Sequence, residues 1–217
     1  MIFDPFGLAG RYVREELLHK VVRTFMVLVL AVFLRHRISQ YHLFSVKALW
    51  LAETALFSVL ILAFLLRTNP VNRSSGAAEI IIPLIGSALP FALLLSPPAS
   101  FITNNRPLFF GLLWGMAFAT ALTVSGMWTL RRSFSITVEA RGLVTTGPYR
   151  LIRHPIYSGE ILAAMAVAVI RFSLANLAII LLFIVIQLYR SRLEELKLGA
   201  TFPEYREFAG RSRWFWN

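Results

Sequence analysis

Two short tracts carry residues able to hold a charged small molecule. The first, Gly147 to Glu160, reads Gly-Pro-Tyr-Arg-Leu-Ile-Arg-His-Pro-Ile-Tyr-Ser-Gly-Glu. Gly147 and Pro148 predict a turn, and Pro155 suits the start of a helix, where a missing N–H leaves no bond unmade. Arg153 and His154 then stand at a helix mouth, where free N–H groups and neighbouring bases favour an anion. Tyr149 and Tyr157 add flat faces that can stack on a nucleobase or meet a cation. The same residues also fit a plain basic flank with interfacial tyrosines. The second tract, Arg190 to Leu198, reads Arg-Ser-Arg-Leu-Glu-Glu-Leu-Lys-Leu. Glu194 lies four residues after Arg190 and Glu195 three after Arg192, spacings that also suit simple ion pairs along a helix. Adjacent residues diverge by about 100° around a helix. At most one of Glu194 and Glu195 therefore points straight into a pocket, while the other flanks it or braces a base.

Other chemistries are absent from the sequence. There is no cysteine, hence no disulfide, thiolate metal site or catalytic thiol. The glycines never fall as G-x-G, which removes the dinucleotide and phosphate loops. His19, His36, His42 and His154 are scattered, so no metal site is expected.

The elements that must position the two tracts are membrane helices. Of the 217 residues, 57% are hydrophobic and only 15% charged, with a mean hydropathy of +0.67. A soluble domain averages roughly 25% charged. The net charge of +11 is accordingly read as the basic flanks of membrane segments rather than as a nucleic-acid surface. A span takes about 20 mostly apolar residues. Ala48 to Leu66, Ile80 to Leu95 and Pro107 to Leu130 fit that length well or nearly so. Leu17 to Leu34 has His19, Lys20 and Arg23 in its first turns, and reads either as a short span or as an interfacial helix. Glu160 to Leu188 would measure about 43 Å as one helix, well over the ~30 Å core. A hairpin is expected instead, with Arg171 at the far interface and Asn176 capping or lining the turn. The alternative is one tilted helix with Arg171 facing a cavity. The expected fold is an all-α polytopic bundle of about five to six transmembrane helices ending in a helical hairpin and a cytoplasmic tail. It forms a single domain, with a variable scaffold over 1–106 and the chemistry over 107–217.

Six spans put Arg11, Arg14, Lys20, Arg23, Arg67, Arg73 and all the bases from Arg131 onward except Arg171 on one face. Arg35, Arg37, Lys47, Arg106 and Arg171 fall on the other. Positive residues stay inside, so both termini and both tracts are expected in the cytoplasm. Met1 to Lys20 lacks the pattern of a cleavable signal. The first span would then insert itself into a bacterial inner membrane or an endoplasmic reticulum membrane.

Together the tracts are more specific than either alone. Arg153-His154-Pro155-Ile156-Tyr157, then a long hydrophobic hairpin, then Glu194-Glu195 resembles the isoprenylcysteine carboxyl methyltransferase family and its phospholipid methyltransferase relatives. The likeness runs from Arg131 to about Phe208. It includes Ser133-Phe134-Ser135, Gly142-Leu143-Val144-Thr145-Thr146-Gly147-Pro148-Tyr149, Gly159, Arg190, Phe202 and Tyr205. It departs at the tail, where the Phe202 to Tyr205 spacing is one residue short, Phe208 replaces a common tyrosine, and Arg213-Trp214-Phe215-Trp216-Asn217 lacks a proline. The resemblance implies an S-adenosylmethionine-dependent methyltransferase without a Rossmann domain. Gly147, Tyr149, Arg153, His154, Pro155 and Tyr157 would hold the cofactor, with Glu194 and Glu195 on its polar groups.

The same resemblance implies a lipophilic or lipidated acceptor drawn from the membrane, and a carboxylate is favoured. A carboxylate needs only a cation to orient it, for which Arg153, Arg150 or Arg190 would serve; Arg153, Arg190 and Glu195 are the expected catalytic set. An amine or thiol would need a base such as His154 or a glutamate. The acceptor's way in would be a gap lined by Phe109, Trp114, Met116, Phe118 and Trp128, side chains that more often serve helix packing. Two other readings compete, an NADPH-dependent membrane reductase of the sterol-reductase type and a non-enzymatic membrane scaffold.

Overall fold

The computed structural model describes residues 15–66 and 68–214. Arg11, Arg14, Arg67 and the final Phe215-Trp216-Asn217 lie outside them, as does most of the stretch read for a signal. The described chain is all helical, with helices α1 (Glu15–Ser39), α2 (Lys47–Leu66), α3 (Ala78–Ala88), α4 (Ser100–Thr103), α5 (Arg106–Leu130), α6 (Pro155–Ile170), α7 (Leu174–Thr201) and α8 (Tyr205–Arg211).

Four segments among the described residues are long and apolar enough to cross a membrane: Lys47–Leu66, Ala78–Leu95, Arg106–Ser133 and Leu174–Thr201. The six expected helical segments are present, but two fall short of that standard. α6 is apolar and only 16 residues long. α1 is 25 residues long and carries charged residues near both ends. It nevertheless packs along α2: Phe33 stacks on Phe57 with centroids 5.9 Å apart, and Leu30 joins Val59, Ala63 and Phe64 in one core cluster. The third segment does not remain α-helical. Pro90 cannot donate to the ladder, and α3 passes at Ala88 into a 3-10 stretch, Leu89–Leu95.

The hairpin forms as the charge of Arg171 requires. Its guanidinium donates to the carbonyls of Leu94 and Ser96, which keeps it at the turn. Ser173 caps α7 by accepting from the Asn176 N–H at 3.0 Å. Asn176 lines the turn, its amide donating to the Leu93 and Arg171 carbonyls at 3.1 and 2.7 Å. The turn is thereby fastened to the far end of the α3 segment.

α5 and α6 pack closely at Gly159, where an added Cβ would strike Thr123 and the Ala119 carbonyl. This contact sets how near α6 can bring its first turn to α5. At the same end of the bundle the segment between α2 and α3 is tied to the loop after α5. Val71 N–H donates to Ala140 O at 2.8 Å and Val138 N–H to Glu79 O at 3.0 Å. Lys197 on α7 joins this lacing by donating to Arg73 O and pairing with Glu79.

The aromatics of α5 expected at a gap do not line the interior cavity. Trp114, Phe118 and Trp128 are at least half exposed and point out of the bundle. At 100° per residue they share one face, with Met116 about 200° round from Trp114. Of the five residues named for the gap, only Met116 borders the interior cavity.

Candidate functional site

The two tracts meet because α6 begins where α7 leaves the apolar core. Pro155 opens α6 and His154 precedes it, so the tract's bases sit at the helix mouth. α7 continues unbroken past Leu188 to Thr201 and carries Glu194 and Glu195 beside them.

Glu195 is buried and takes two partners, Arg153 Nη1 at 3.3 Å and His154 Nε2 at 3.1 Å. A carboxylate only accepts, so His154 donates through Nε2. Glu194 turns the other way. It accepts from the Tyr157 hydroxyl, lies 3.8 Å from His154 Nδ1 and borders the cavity. One acid braces the bases and the other faces the open space, as a 100° divergence demands. The simple surface pairing along α7 is nearly absent: Arg192 reaches Glu195 only at 4.0 Å.

Aromatic faces complete the arrangement. His154 and Tyr157 stack with centroids 5.5 Å apart and planes 12° from parallel. The guanidinium of Arg190 lies 4.8 Å from the centre of the Tyr157 ring. Arg190 also donates to Gln187 Oε1 at 3.0 Å and to the Ile136 carbonyl at 3.2 Å. Tyr149 is buried with Tyr205 and Phe208 beneath the loop. Burial first, and then the nearby carboxylates of Glu194 and Glu160, push the Tyr149 phenol well above its ordinary value. Burial and then Glu195 likewise push Tyr205 up. Both phenols stay neutral at physiological pH.

Gly147 and Pro155 do not border the cavity. Gly147 adopts φ +59° at the start of the turn Gly147–Arg150, and a Cβ there would approach Thr129 Oγ1 to 2.9 Å. Its contribution is to let the loop reverse close to α5.

Several neighbours were not among the residues expected at the site. Trp214 comes back over it because Arg213 pairs with Leu151 and Arg153 through the backbone, at 2.9 and 3.1 Å. Its indole lies 4.8 Å from the His154 ring and donates to Ser191 Oγ at 3.0 Å. Nothing in local spacing signals this return of the tail. Glu160 and Gln187 carried a signal that was available, a polar residue inside an apolar helix. Glu139 and Arg141 form a buried pair in the loop, joined by Ser135.

Arg153, His154, Tyr157, Glu160, Arg190 and Glu194 border one end of a cavity of about 720 Å³, within the range of small-molecule sites, while Gln187, Glu195 and Trp214 do not border it. The cavity continues into the bundle between Leu30, Phe57, Leu93, Met116 and Val167, and so draws on both the 1–106 and the 107–217 halves.

Residues 108–204 match the family model described as phospholipid methyltransferase. The matched segment contains both tracts and the hairpin between them, and it starts earlier than Arg131, taking in α5. Over 102 residues the chain is 32% identical to the cobalt-zinc-cadmium resistance protein CzcN of Cupriavidus metallidurans, an alignment covering 45% of this chain and 45% of that protein. The chain thus spans less than half the length of that curated relative. No solved structure matches it at a significant level.

Proposed function

From the match of residues 108–204 to the phospholipid methyltransferase family, we propose that this membrane protein transfers a methyl group from S-adenosylmethionine to a lipophilic or lipidated acceptor. The observation that carries the proposal is the convergence of His154, Tyr157 and Glu194 on a cavity that turns apolar as it enters the bundle. When bound, S-adenosylmethionine supplies an electrophilic methyl on a sulfonium, beside an ammonium, a carboxylate and an adenine. The wall of the cavity has groups of matching character. Glu194 suits the cationic groups, Arg153 and the N-terminus of α6 suit a carboxylate, and Tyr149, Tyr157 and His154 suit the adenine. Glu195 acts one step back, holding Arg153 and His154 in position.

Transfer of a methyl group is an in-line displacement, so the chain's main task is alignment and exclusion of water. Burial of Arg153, His154 and Glu195 favours both. The apolar extension suits a hydrocarbon tail. With Arg153 turned to the carboxylate of the cofactor, a carboxylate head on the acceptor would look to Arg190 for its counter-charge, and that guanidinium already donates to Gln187 and to the Ile136 carbonyl. The asymmetry of basic residues supports a cytoplasmic location for this end of the bundle.

The test is calorimetry of the purified full chain in lipid nanodiscs. S-adenosylmethionine is expected to bind with a measurable heat that NADPH neither reproduces nor displaces. Binding of NADPH instead would favour the reductase, and binding of neither would remove the enzymatic reading.

A further inference from the structure

The polar wall of the cavity reaches the last residue of the first tract and is backed by a residue beyond the second. One turn deeper on α6 than Tyr157 is Glu160, and one turn deeper on α7 than Arg190 is Gln187. Gln187 is fully buried. Its Oε1 accepts from Arg190 at 3.0 Å, and its Nε2 donates to Glu160 Oε2. Held from both sides, this amide fixes one oxygen of the Glu160 carboxylate. The other, Oε1, receives no hydrogen bond from the described residues, and the uncovered part of Glu160 borders the cavity. The next cavity residues inward on these helices, Ala164, Val167 and Phe183, are apolar. A carboxylate oxygen left open inside a membrane helix is costly unless something donates to it.

Resting on the methyltransferase reading above, we propose that Glu160 receives the polar head of the acceptor. It selects a nucleophile that carries a hydrogen, an amine, thiol or hydroxyl on a hydrocarbon chain, over a carboxylate, and takes up the proton that nucleophile loses. A carboxylate head would set two anions against each other at the edge of an apolar space. The cation acting on Glu160, Arg190, commits its two terminal nitrogens to Gln187 and the Ile136 carbonyl and lies over the face of Tyr157, with its buried Nε unpartnered. A head with a hydrogen satisfies Glu160 Oε1 instead. In the transfer its lone pair forms the bond to the methyl carbon while the carbon–sulfur bond breaks, the electron pair remaining on sulfur. The proton passes to Glu160 Oε1.

The experiment uses the full chain in nanodiscs with dodecylamine, dodecanethiol and dodecanoic acid as probes. Without S-adenosylmethionine, dodecylamine should raise the thermal unfolding midpoint of the wild type and dodecanoic acid should not. Glu160→Gln, which retains an oxygen for Gln187, should weaken the amine by about tenfold. With methyl-labelled S-adenosylmethionine, product should appear on the amine or thiol, and Glu160→Gln should lower it by about 10²-fold. Its affinity for S-adenosylmethionine should stay within about twofold of the wild type, a margin of some 0.4 kcal/mol, which also verifies folding. A methyl ester as main product, or equal amine binding and turnover in Glu160→Gln, overturns the role of Glu160 and leaves the methyltransferase reading standing. Failure of the wild type to bind S-adenosylmethionine overturns that reading and this one with it.

Discussion

The two ends of the bundle each join charged residues from different helices, and they do so in different ways. At one end Arg37 of α1 meets Glu53 of α2 at 2.9 Å, one cation to one anion, with both side chains at least one-fifth exposed. Trp50 donates to the Arg37 carbonyl at 2.9 Å and completes a fastening between consecutive helices. At the other end Glu195 serves Arg153 and His154 together, Glu194 accepts from Tyr157, and Arg190 caps the Tyr157 ring, with Arg153, His154, Arg190 and Glu195 nearly all removed from solvent. A single half-buried pair is enough to tie two helices. A shared, buried cluster with one acid turned to open space exceeds what fastening needs, and the surplus supports the proposed site.

Mutations can break that contrast. The largest effect is expected from Glu195→Gln. Removing one member of a buried ion cluster costs about 3–5 kcal/mol, so the unfolding midpoint should fall by about 10 °C and S-adenosylmethionine should bind at least tenfold more weakly. Tyr157→Phe removes the hydrogen bond to Glu194, an interaction with a charged group worth about 1.5–3 kcal/mol. Calorimetry should read about tenfold weaker binding, while the stacking on His154 preserves the fold. Glu53→Gln at the opposite end should lower stability by about 1 kcal/mol and leave binding unchanged. Equal losses of binding from Glu53→Gln and Glu195→Gln would erase the distinction between the ends.

Alkaline pH should produce a smaller effect at the site end. Tyr149 and Tyr205 have folded values raised above 10.0. Their stabilising contribution is complete below about pH 10. It declines as the pH climbs from there toward the folded values, because the unfolded chain releases phenolic protons that the folded chain retains. Thermal unfolding between pH 8 and 11 should record the decline, and Tyr149→Phe should lessen it. Glu207→Gln, whose partner Arg211 is as exposed as Glu207 itself, should change neither stability nor binding.

Much of the frame was legible because lipid imposes simple demands. A cation near the middle of a long apolar run predicts a hairpin, and the guanidinium of Arg171 sits at that turn. The capping residue was harder to name: Asn176 reads as capping or lining the turn, and the structure gives the cap to Ser173 and the lining to Asn176. The α5 aromatics were ambiguous for a related reason. A helix periodicity tells which residues share a face, but not whether that face meets lipid or protein. Of the proposed site, Arg153, His154, Tyr157, Glu194 and Glu195 are named from their tracts, and the structure brings them together. Trp214 could not, because its approach depends on a backbone pairing between Arg213 and the stretch Leu151–Arg153.

The sequence by itself determined a helical membrane protein, the hairpin, and the two tracts that must meet. Hydrophobic runs and buried charge act over short stretches of chain, where position along the sequence is almost position in space. Only the tertiary structure decided which acid braces and which faces the cavity, that Gln187 holds Glu160, and that α1 to α3 with the 3-10 stretch after them supply about a third of the residues lining the cavity. Those outcomes depend on the rotation and depth of one helix against another. The packing of Gly159 on α5 and the fastening of the turn by Arg171 and Asn176 set both.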